Sequence, residues 1–327
     1  MIKKKVCILI VNFNGFLDTI ECLNSVLKSS FKDFILVVID NSNNLDYLGK
    51  IEANVSVSYN IETQFFFDGD DVNSISSNTK IIFIKSLINK GFAAANNVGV
   101  KFVRKYIEID YFWFLNNDTI IAPTALSLLY NYASKNSNVG MLGAKVLNYD
   151  FPNTIQSIGY IYNPKYGITK AIGKDYSKEM YFANSHLDFV SGASMFVSNY
   201  FINTVGLMSE QFFLYGEELD WCLRSKKFKF CDIDVCQDAY VYHKGGQSIN
   251  KGVKKNPLSD FYGLRSRLLI TKIYYPQYKM FFLLLYILLV FKRFFLIQFK
   301  MGINLCKIIY VGFFSKRSLS DYHINLK

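Results

Sequence analysis

Acidic, amide and imidazole side chains stand at several points of this chain where a run of apolar residues ends. Asn12 closes "KVCILIVN", Asp40 closes "FILVVID", and Asp118 closes "FWFLNND". A divalent cation bound to phosphates needs only one or two protein carboxylates, because substrate oxygens and water complete its coordination. His243 can join such a site where Mn²⁺ is accepted. The pattern indicates a metal and phosphate site around Asp118, although a single strand-end carboxylate more often forms a turn or a helix cap.

Three acids follow the apolar stretch "FFLYG" at a predicted helix start: Glu217, Glu218 and Asp220. The helix dipole stabilises negative charge there, so capping alone would account for them. The apolar residues ahead of them would also raise the pKa of a carboxylate toward the working range of a general base. Successive helical residues point about 100° apart, so Glu217 and Glu218 face different directions. We expect at most one or two of the acids to reach the same substrate.

Two further segments favour a nucleotide ligand. The stretch 89–99, "NKGFAAANNVG", opens a predicted helix with small residues, which lets a phosphate approach the helix N-terminus closely. A carboxylate after the second strand, here Asp40, commonly accepts hydrogen bonds from a ribose or a base edge, although a turn cap explains it equally well. Neither segment is a Walker motif or a G-x-G-x-x-G fingerprint. The single glycine of "VNFNGF" argues against a nicotinamide oxidoreductase.

The elements that must position these residues alternate between strands and helices. Continuous apolar runs predict buried strands, and apolar residues three and four positions apart predict helices. The third predicted strand lies at 80–85, ahead of the strand that ends on Asp118, and helices are predicted at 16–28, 92–105 and 124–134. This order is typical of an α/β, doubly wound, mostly parallel sheet, in which ligands bind at the carboxyl ends of the strands. Residues 46–79 are predicted to be an insertion or long loop, and 148–186 to form hairpins or loops over the cleft.

Charge and hydropathy set the C-terminal part of the chain apart. Residues 1–243 hold 22 Lys and Arg against 24 Asp and Glu, whereas 244–327 hold 15 against 2. The apolar run 280–291, "MFFLLLYILLVF", is too short for a bilayer span, which needs about 20 residues, so a helix in the interface is favoured over a tilted span that continues into "FFLIQF". Cations beside an apolar helix favour an anionic membrane surface over a nucleic acid, although a buried core helix fits the hydropathy as well. We predict a domain at 1–270 and a basic, membrane-associating helical tail at 271–327. No signal peptide is visible, so the expected location is cytoplasmic, at the inner face of the plasma membrane.

Seven motifs in one order resemble glycosyltransferase family two, specifically its rhamnosyltransferase-like branch in bacterial surface-polysaccharide synthesis. They are "VNFNG", "VVIDNSN", "NKGFAAANNVG", "FLNNDT", "DFVSGASMFV", "FFLYGEELDWCLR" and "YHKGGQS". The resemblance covers roughly residues 5–270. It implies a GT-A fold and an inverting transfer from a nucleotide sugar.

The resemblance also implies roles for individual residues. The family usually has an Asp where Glu218 stands, so the choice of general base between Glu218 and Glu217 remains open. The implied residues are Asn12, Asp40, Asn96 and Asn117 for the nucleotide, Asp118 and His243 for a Mg²⁺ or Mn²⁺ ion, and Glu218 or Glu217 for the base.

The function implied by the resemblance is synthesis of O-antigen, capsule or cell-wall polysaccharide. The expected partners are a dTDP- or UDP-linked donor, with rhamnose the first sugar to test, and a polyprenyl-diphosphate-linked saccharide acceptor at a membrane surface. No nucleic-acid partner is expected. The alternative is a non-catalytic or partner-dependent subunit of a polysaccharide assembly complex, which would release no nucleoside diphosphate.

Overall fold

The computed structural model of the chain describes residues 2–72, 74–183, 186–245 and 257–323. The β-strands are β1 (Ile2–Asn12), β2 (Phe34–Asp40), β3 (Glu62–Phe67), β4 (Thr79–Lys85), β5 (Ile107–Asn116), β6 (Thr119–Ile121), β7 (Val139–Asn148), β8 (Ile155–Ser157), β9 (Tyr160–Asn163), β10 (Ile168–Ala171), β11 (Ser194–Ser198) and β12 (Asp232–His243). The α-helices are α1 (Phe16–Leu27), α2 (Asp46–Tyr59), α3 (Phe92–Tyr106), α4 (Ala125–Lys135), α5 (Asn199–Val205), α6 (Glu217–Ser225), α7 (Pro257–Tyr274), α8 (Lys279–Phe295) and α9 (Phe299–Ile309).

The central sheet has the strand order β3-β4-β2-β1-β5-β11-β7-β12-β6. Strand β8 pairs with the C-terminal end of β7. Pairing is parallel from β3 through β5 and again between β7 and β12, whereas β11 runs antiparallel to both of its neighbours. The long apolar runs are therefore strands buried on both faces, as their sequences indicated. The prediction of an α/β, mostly parallel sheet is confirmed.

The sheet separates two hydrophobic cores. Alternate residues of one strand face opposite sides, so Leu9 joins one core and Ile8 joins the other. Helices α1, α2 and α4 cover the side of Ile8, and α3, α5 and α6 cover the side of Leu9. Because both faces are covered by helices, the polar ends of the strands are the part of the sheet that remains available to a ligand.

The stretch 46–79 is not an irregular loop, and that interpretation was wrong. It contains α2, and it contains β3, which pairs in parallel with β4 at the edge of the sheet. The helical pattern of apolar residues was weak in the sequence because α2 buries only Leu48, Ile51 and Val55 on a narrow apolar face. The exposed Phe65 and Phe67 of β3 alternate with polar or half-buried neighbours, as expected for an edge strand.

The C-terminal helices pack onto the core on the side of Leu9. Helix α7 runs through the predicted boundary at residue 270, and Phe282 and Tyr286 of α8 are buried in the same cluster as Phe261 of α7. The division at 270 therefore stays a prediction. In the part of the chain that the structure describes, none of the helices combines the length and the apolar character that crossing a membrane requires.

Candidate active site

Three neighbouring parallel strands end in a row of buried polar side chains. In the register of the sheet, Asn12 of β1 lies opposite Asp40 of β2, and Asp40 lies opposite Lys85 of β4. Asn12 Nδ2 donates to Asp40 Oδ1 at 2.7 Å, and Lys85 Nζ donates to Asp40 Oδ2 at 2.7 Å. A buried carboxylate without a partner carries a large desolvation cost, so Lys85 compensates the charge of Asp40.

Lys85 was not among the residues predicted from the sequence. Its signal is a lysine that ends the apolar strand "KIIFIK", level with Asp40 at the carboxyl edge of the sheet. The Ser42 hydroxyl also donates to Asp40 Oδ1, at 2.6 Å, and the Ser42 carbonyl accepts from Lys85. The strand end therefore holds a closed group of polar partners rather than a single exposed carboxylate.

Asn12 fixes the turn that follows β1. Its Oδ1 accepts from the Gly15 N–H at 3.2 Å, from the Thr19 hydroxyl at 2.9 Å and from Asn117 Nδ2 at 3.5 Å. Asn117 Nδ2 also donates to the Thr19 hydroxyl at 3.0 Å. These bonds, with the bond to Asp40, occupy both polar atoms of the Asn12 side chain. Nucleotide contacts by Asn12 and Asn117 stay predictions.

The start of α3 is tied to the segment before α6. Gly91 has a φ of +96°, and a Cβ there would collide with the Phe213 carbonyl oxygen, so only glycine fits. The Phe92 N–H donates to that same carbonyl at 3.0 Å. Asn96 lies one turn further along, and its Nδ2 donates to the Phe92 carbonyl at 3.0 Å. This contact lies within the helix, so the nucleotide role of Asn96 also stays a prediction.

Asp118 and His243 come together at the opposite part of the strand-end edge. His243 ends β12 and pairs with Thr119 of β6, so its Nε2 lies 3.2 Å from Asp118 Oδ1. The other ring nitrogen, Nδ1, lies 2.7 Å from Gln156 Oε1. An amide oxygen only accepts hydrogen bonds, so Nδ1 carries a proton and Nε2 is the nitrogen directed at Asp118. A metal-ligating imidazole is commonly held in this way through its second nitrogen.

Asp118 and His243 form a two-residue donor set. Throughout the described ranges, no three His, Cys, Asp or Glu side chains gather closely enough to enclose a metal ion. A carboxylate with an imidazole nonetheless suits Mn²⁺, and such a set leaves most of the coordination shell to phosphate oxygens and water. In the neutral imidazole, the Nε2 lone pair would face the Asp118 oxygen, an arrangement that a shared cation satisfies. The two side chains therefore fit the ion that the resemblance implies.

Lys244 holds the end of β12 against α1. Its backbone N–H donates to the Asp118 carbonyl at 3.0 Å, and its Nζ donates to Asp18 at 2.6 Å and to Glu21 at 2.5 Å. The lysine thus fixes the position of His243, its neighbour in the chain. The rest of the motif "YHKGGQS", at 246–248, lies outside the described residues.

The two candidate bases begin α6 after a strained turn. Tyr215 and Gly216 have φ values of +67° and +91°, and the former is unusual for a residue with a side chain. The Gly216 N–H donates to Glu218 Oε2 at 3.2 Å, whereas Glu217 Oε2 is buried and has no hydrogen-bond partner among the residues described. Both carboxyl groups line one cavity.

The environments of the two carboxyl groups differ. Burial raises the pKa of Glu217 well above its usual range, and the neighbouring charge of Glu218 raises it further. Burial also raises the pKa of Glu218, but backbone N–H groups, including that of Gly216, oppose this change. Adjacent carboxylates resist joint ionisation, so we expect Glu218 to ionise first while Glu217 keeps its proton.

The cavity in front of α6 has a volume of about 730 Å³. It is lined by residues of β8, β9, β12, α6 and α7, namely Gln156, Tyr160, Tyr162, Glu217, Glu218, His243 and Arg267 among others. The predicted nucleotide residues Asn12, Asp40, Asn96 and Asn117 do not line it. The structure therefore brings the candidate bases and one predicted metal ligand to a common space, and places the predicted nucleotide residues outside it.

Asp220 does not share this space. Its Oδ2 accepts from Arg224 Nε at 2.9 Å, and its Oδ1 accepts from the Tyr274 hydroxyl at 2.6 Å. The third acid of "GEELD" is thus used to join α6 to α7. The 148–186 segment supplies Gln156, Tyr160 and Tyr162 to the cavity, which confirms a hairpin and loop region over the cleft for the part that is described.

The sequence profile of Glycosyl transferase family 2 matches residues 7–196, more than half of the chain. The chain therefore belongs to glycosyl transferase family 2. The GT-A fold expected from the resemblance is confirmed, whereas the rhamnosyltransferase-like branch stays a prediction.

Known proteins resemble the chain in sequence and in fold. The low-salt glycan biosynthesis hexosyltransferase Agl10 of Haloferax volcanii is 24% identical over 171 residues, which cover 51% of this chain and 53% of the relative. The chain thus spans about half the length of this curated relative. The crystal structure of GalNAc-T7 with UDP, GalNAc and Mn²⁺ has a TM-score of 0.61 at 14% identity, covering 85% of this chain and 49% of that one. S. aureus TarS has a TM-score of 0.52 at 15% identity, covering 82% and 40%. At such identities the structural likeness shows the fold alone.

Proposed function

We propose that this protein transfers a sugar from a nucleotide diphosphate donor to a hydroxyl of an acceptor saccharide, with inversion at the anomeric carbon. One observation carries the proposal: Glu217 and Glu218 share a cavity with His243, which lies 3.2 Å from Asp118. In this arrangement a carboxylate of α6 could act as a base on a sugar whose diphosphate and cation lie at Asp118 and His243. Membership of glycosyl transferase family 2 supports this reading.

The reaction needs one base on this chain. Glu218 removes the proton from the acceptor hydroxyl, whose oxygen forms a bond to the anomeric carbon while the bond from that carbon to the diphosphate oxygen breaks. The diphosphate leaves as an anion and needs no proton. Glu218 suits the role because it ionises before Glu217 and because its carboxyl group is anchored by the Gly216 N–H.

Glu217 would act as a neutral neighbour. With its pKa raised by burial and by the charge of Glu218, it holds a proton at pH values where Glu218 is ionised. A protonated carboxyl group can donate a hydrogen bond to an acceptor oxygen, and Glu217 Oε2 has no partner among the described residues that would compete. Glu217 would therefore orient the acceptor rather than deprotonate it.

Asp118 and His243 would hold the Mg²⁺ or Mn²⁺ ion. When bound there, the ion supplies positive charge that stabilises the departing diphosphate. Gln156 keeps His243 in the tautomer whose Nε2 can bind, and Lys244 fixes the backbone on both sides of the pair. The presence of UDP and Mn²⁺ in the GalNAc-T7 structure supports testing both groups with this chain.

We further propose that α8 and α9 dock on an anionic membrane surface at the cytoplasmic face. Along α8 the exposed residues recur every three or four positions, at Met280, Leu284, Leu288, Phe291 and Phe295. The opposite face of the helix is buried against the core. An apolar stripe in a region with 15 cations against 2 acids suits shallow insertion among anionic headgroups. This placement would bring the cavity to a lipid-linked acceptor of polysaccharide synthesis.

The test is release of nucleoside diphosphate from a panel of donors. The full chain is incubated with dTDP-rhamnose and with several UDP-sugars, in Mg²⁺ or Mn²⁺, with and without a membrane extract as the acceptor source. We expect release from one donor, stimulated by the extract and lost in Glu218→Gln. If no donor is consumed while UDP or dTDP still binds, the chain is a non-catalytic subunit of a polysaccharide assembly complex.

A further inference from the structure

We infer that the cavity in front of α6 contains a subsite for a phosphate group of the acceptor, with Arg267 as its cation. This inference rests on the proposed function and adds the residue that would hold a phosphate of the acceptor. Arg267 lies on α7 and lines the cavity together with Glu217 and Glu218.

Arg267 differs from Arg293, the other arginine in the cavity lining, in how its charge is compensated. Arg293 forms a two-pronged ion pair with Asp260, with both N–O distances at 2.6 Å. No carboxylate of the described residues lies within ion-pair distance of Arg267. The segments outside the description contain neither Asp nor Glu. Arg267 is exposed and lines the cavity, so its guanidinium can make a planar, two-pronged contact with an oxyanion that enters from solvent.

Buried polar atoms in the same cavity lack partners. The Tyr162 hydroxyl, near Thr271, has no partner of ordinary hydrogen-bond geometry among the described residues, and neither has Glu217 Oε2. Both residues are more than nine-tenths buried. Buried polar atoms are almost always satisfied in native proteins, so these two indicate a polar ligand. Tyr160, stacked on Phe189 with 4.9 Å between ring centroids, adds an aromatic surface of the kind on which a sugar ring can rest.

The position of Arg267 favours the acceptor over the donor. A Cβ added to Gly167, in the turn between β9 and β10, would lie 3.7 Å from the Arg267 Cβ and 2.6 Å from the Phe282 ring. Arg267 therefore lies where the hairpin meets α7 and α8. The cavity lining contains none of Asn12, Asp40 or Asn117, and the donor diphosphate is assigned to Asp118 and His243. Since α8 carries the proposed membrane face, a phosphate at Arg267 would stand between the reacting hydroxyl and the lipid surface.

The experiment measures binding to the full chain by titration calorimetry. In excess chelator, the probes are decyl diphosphate, inorganic pyrophosphate and the neutral decyl glucoside; UDP is titrated separately with Mn²⁺. Pyrophosphate distinguishes a free phosphate from one attached to a lipid. The test variants are Arg267→Gln and Arg267→Lys. The control is Lys307→Gln, which removes one positive charge elsewhere in the C-terminal part of the chain.

We expect the unchanged protein to prefer decyl diphosphate to decyl glucoside, and Arg267→Gln to lose about ten-fold or more of that affinity, the size of a charged hydrogen bond. Arg267→Lys should keep part of it, and Lys307→Gln should keep all of it. UDP affinity should change less than about two-fold in every variant. Equal losses for UDP and decyl diphosphate would assign Arg267 to the donor, and an unchanged affinity for decyl diphosphate would remove the subsite. A chain that binds decyl diphosphate through Arg267 but consumes no donor would keep the subsite and overturn the proposed transfer.

Discussion

Replacing Glu218 by Gln should separate the general base from its neighbour. The change keeps the size of the side chain and an oxygen that can accept from the Gly216 N–H, now 3.2 Å from Glu218 Oε2. The cavity should therefore keep its shape, and donor affinity should stay within about three-fold. A general base contributes roughly 10²- to 10⁴-fold in rate, or about 3 to 5 kcal/mol at the transition state, so we expect a loss of that size.

The same change in Glu217 should cost much less. Burial and the charge of Glu218 raise the pKa of Glu217, so we expect Glu217 to keep its proton where Glu218 is ionised, and Gln then replaces one neutral hydrogen-bonding group by another. We expect less than about ten-fold loss in rate, mainly through weaker binding of the acceptor. The two variants occupy successive positions of the same helix, so each is the control for the other.

The assay is the rate of nucleoside diphosphate release at saturating donor between about pH 5 and 9. Glu218 must be ionised to accept a proton, so the rate should fall as pH decreases through its pKa. Burial raises that pKa, and the fall should therefore begin above the range of an ordinary glutamate. Glu218→Gln should abolish this acidic limb, and Glu217→Gln should retain it. If Glu217→Gln removes the limb and Glu218→Gln keeps it, the two roles are reversed.

Three further changes test the remaining parts of the site. Asp118→Ala should reduce turnover by several orders of magnitude, and excess chelator should do the same to the unchanged protein; full activity in chelator would contradict the metal assignment. Lys85→Met should lower the free energy of unfolding in urea by about 3–5 kcal/mol, because it leaves a buried carboxylate unpaired, whereas Lys3→Met at an exposed pair should not move the midpoint. Leu288→Asp should reduce sedimentation with anionic vesicles, and Leu17→Asp, on α1 and also more than half exposed, should not; equal binding by both would exclude α8 as the docking surface.

The sheet could be predicted from the sequence because its strands are continuous apolar runs. "FILVVID" is buried along its whole length in the structure, and the polar residue that ends it lies at the strand end, as expected. The edge element β3 escaped prediction for the opposite reason. The apolar residues of β3 are half-exposed, and the preceding helix α2 buries few side chains. Neither segment therefore shows a clear periodic pattern of apolar residues in the sequence.

The candidate site was predictable only in part. A polar residue at the end of an apolar run can be recognised in the sequence, but the side chains that hydrogen-bond to it in the fold cannot. The sequence indicates Asp40 and His243, yet Lys85 and Gln156 are fixed by strand register and by a short strand within a loop region. Arg267 could not be predicted at all. It is one of 15 cations in residues 244–327, and only the packing of α7 against the β9–β10 hairpin distinguishes it.

The predicted nucleotide region and the base are joined through one backbone contact. Gly91 begins the motif "GFAAANN", and its lack of a side chain lets the Phe213 carbonyl approach and accept from the Phe92 N–H. Phe213 is three residues before Gly216, whose N–H anchors Glu218. A side chain at Gly91 would push the 213–216 segment away, and the strained turn at Tyr215 leaves that segment little freedom to adjust. The glycine is therefore required for the geometry of the base as well as for the helix start that the sequence motif indicates.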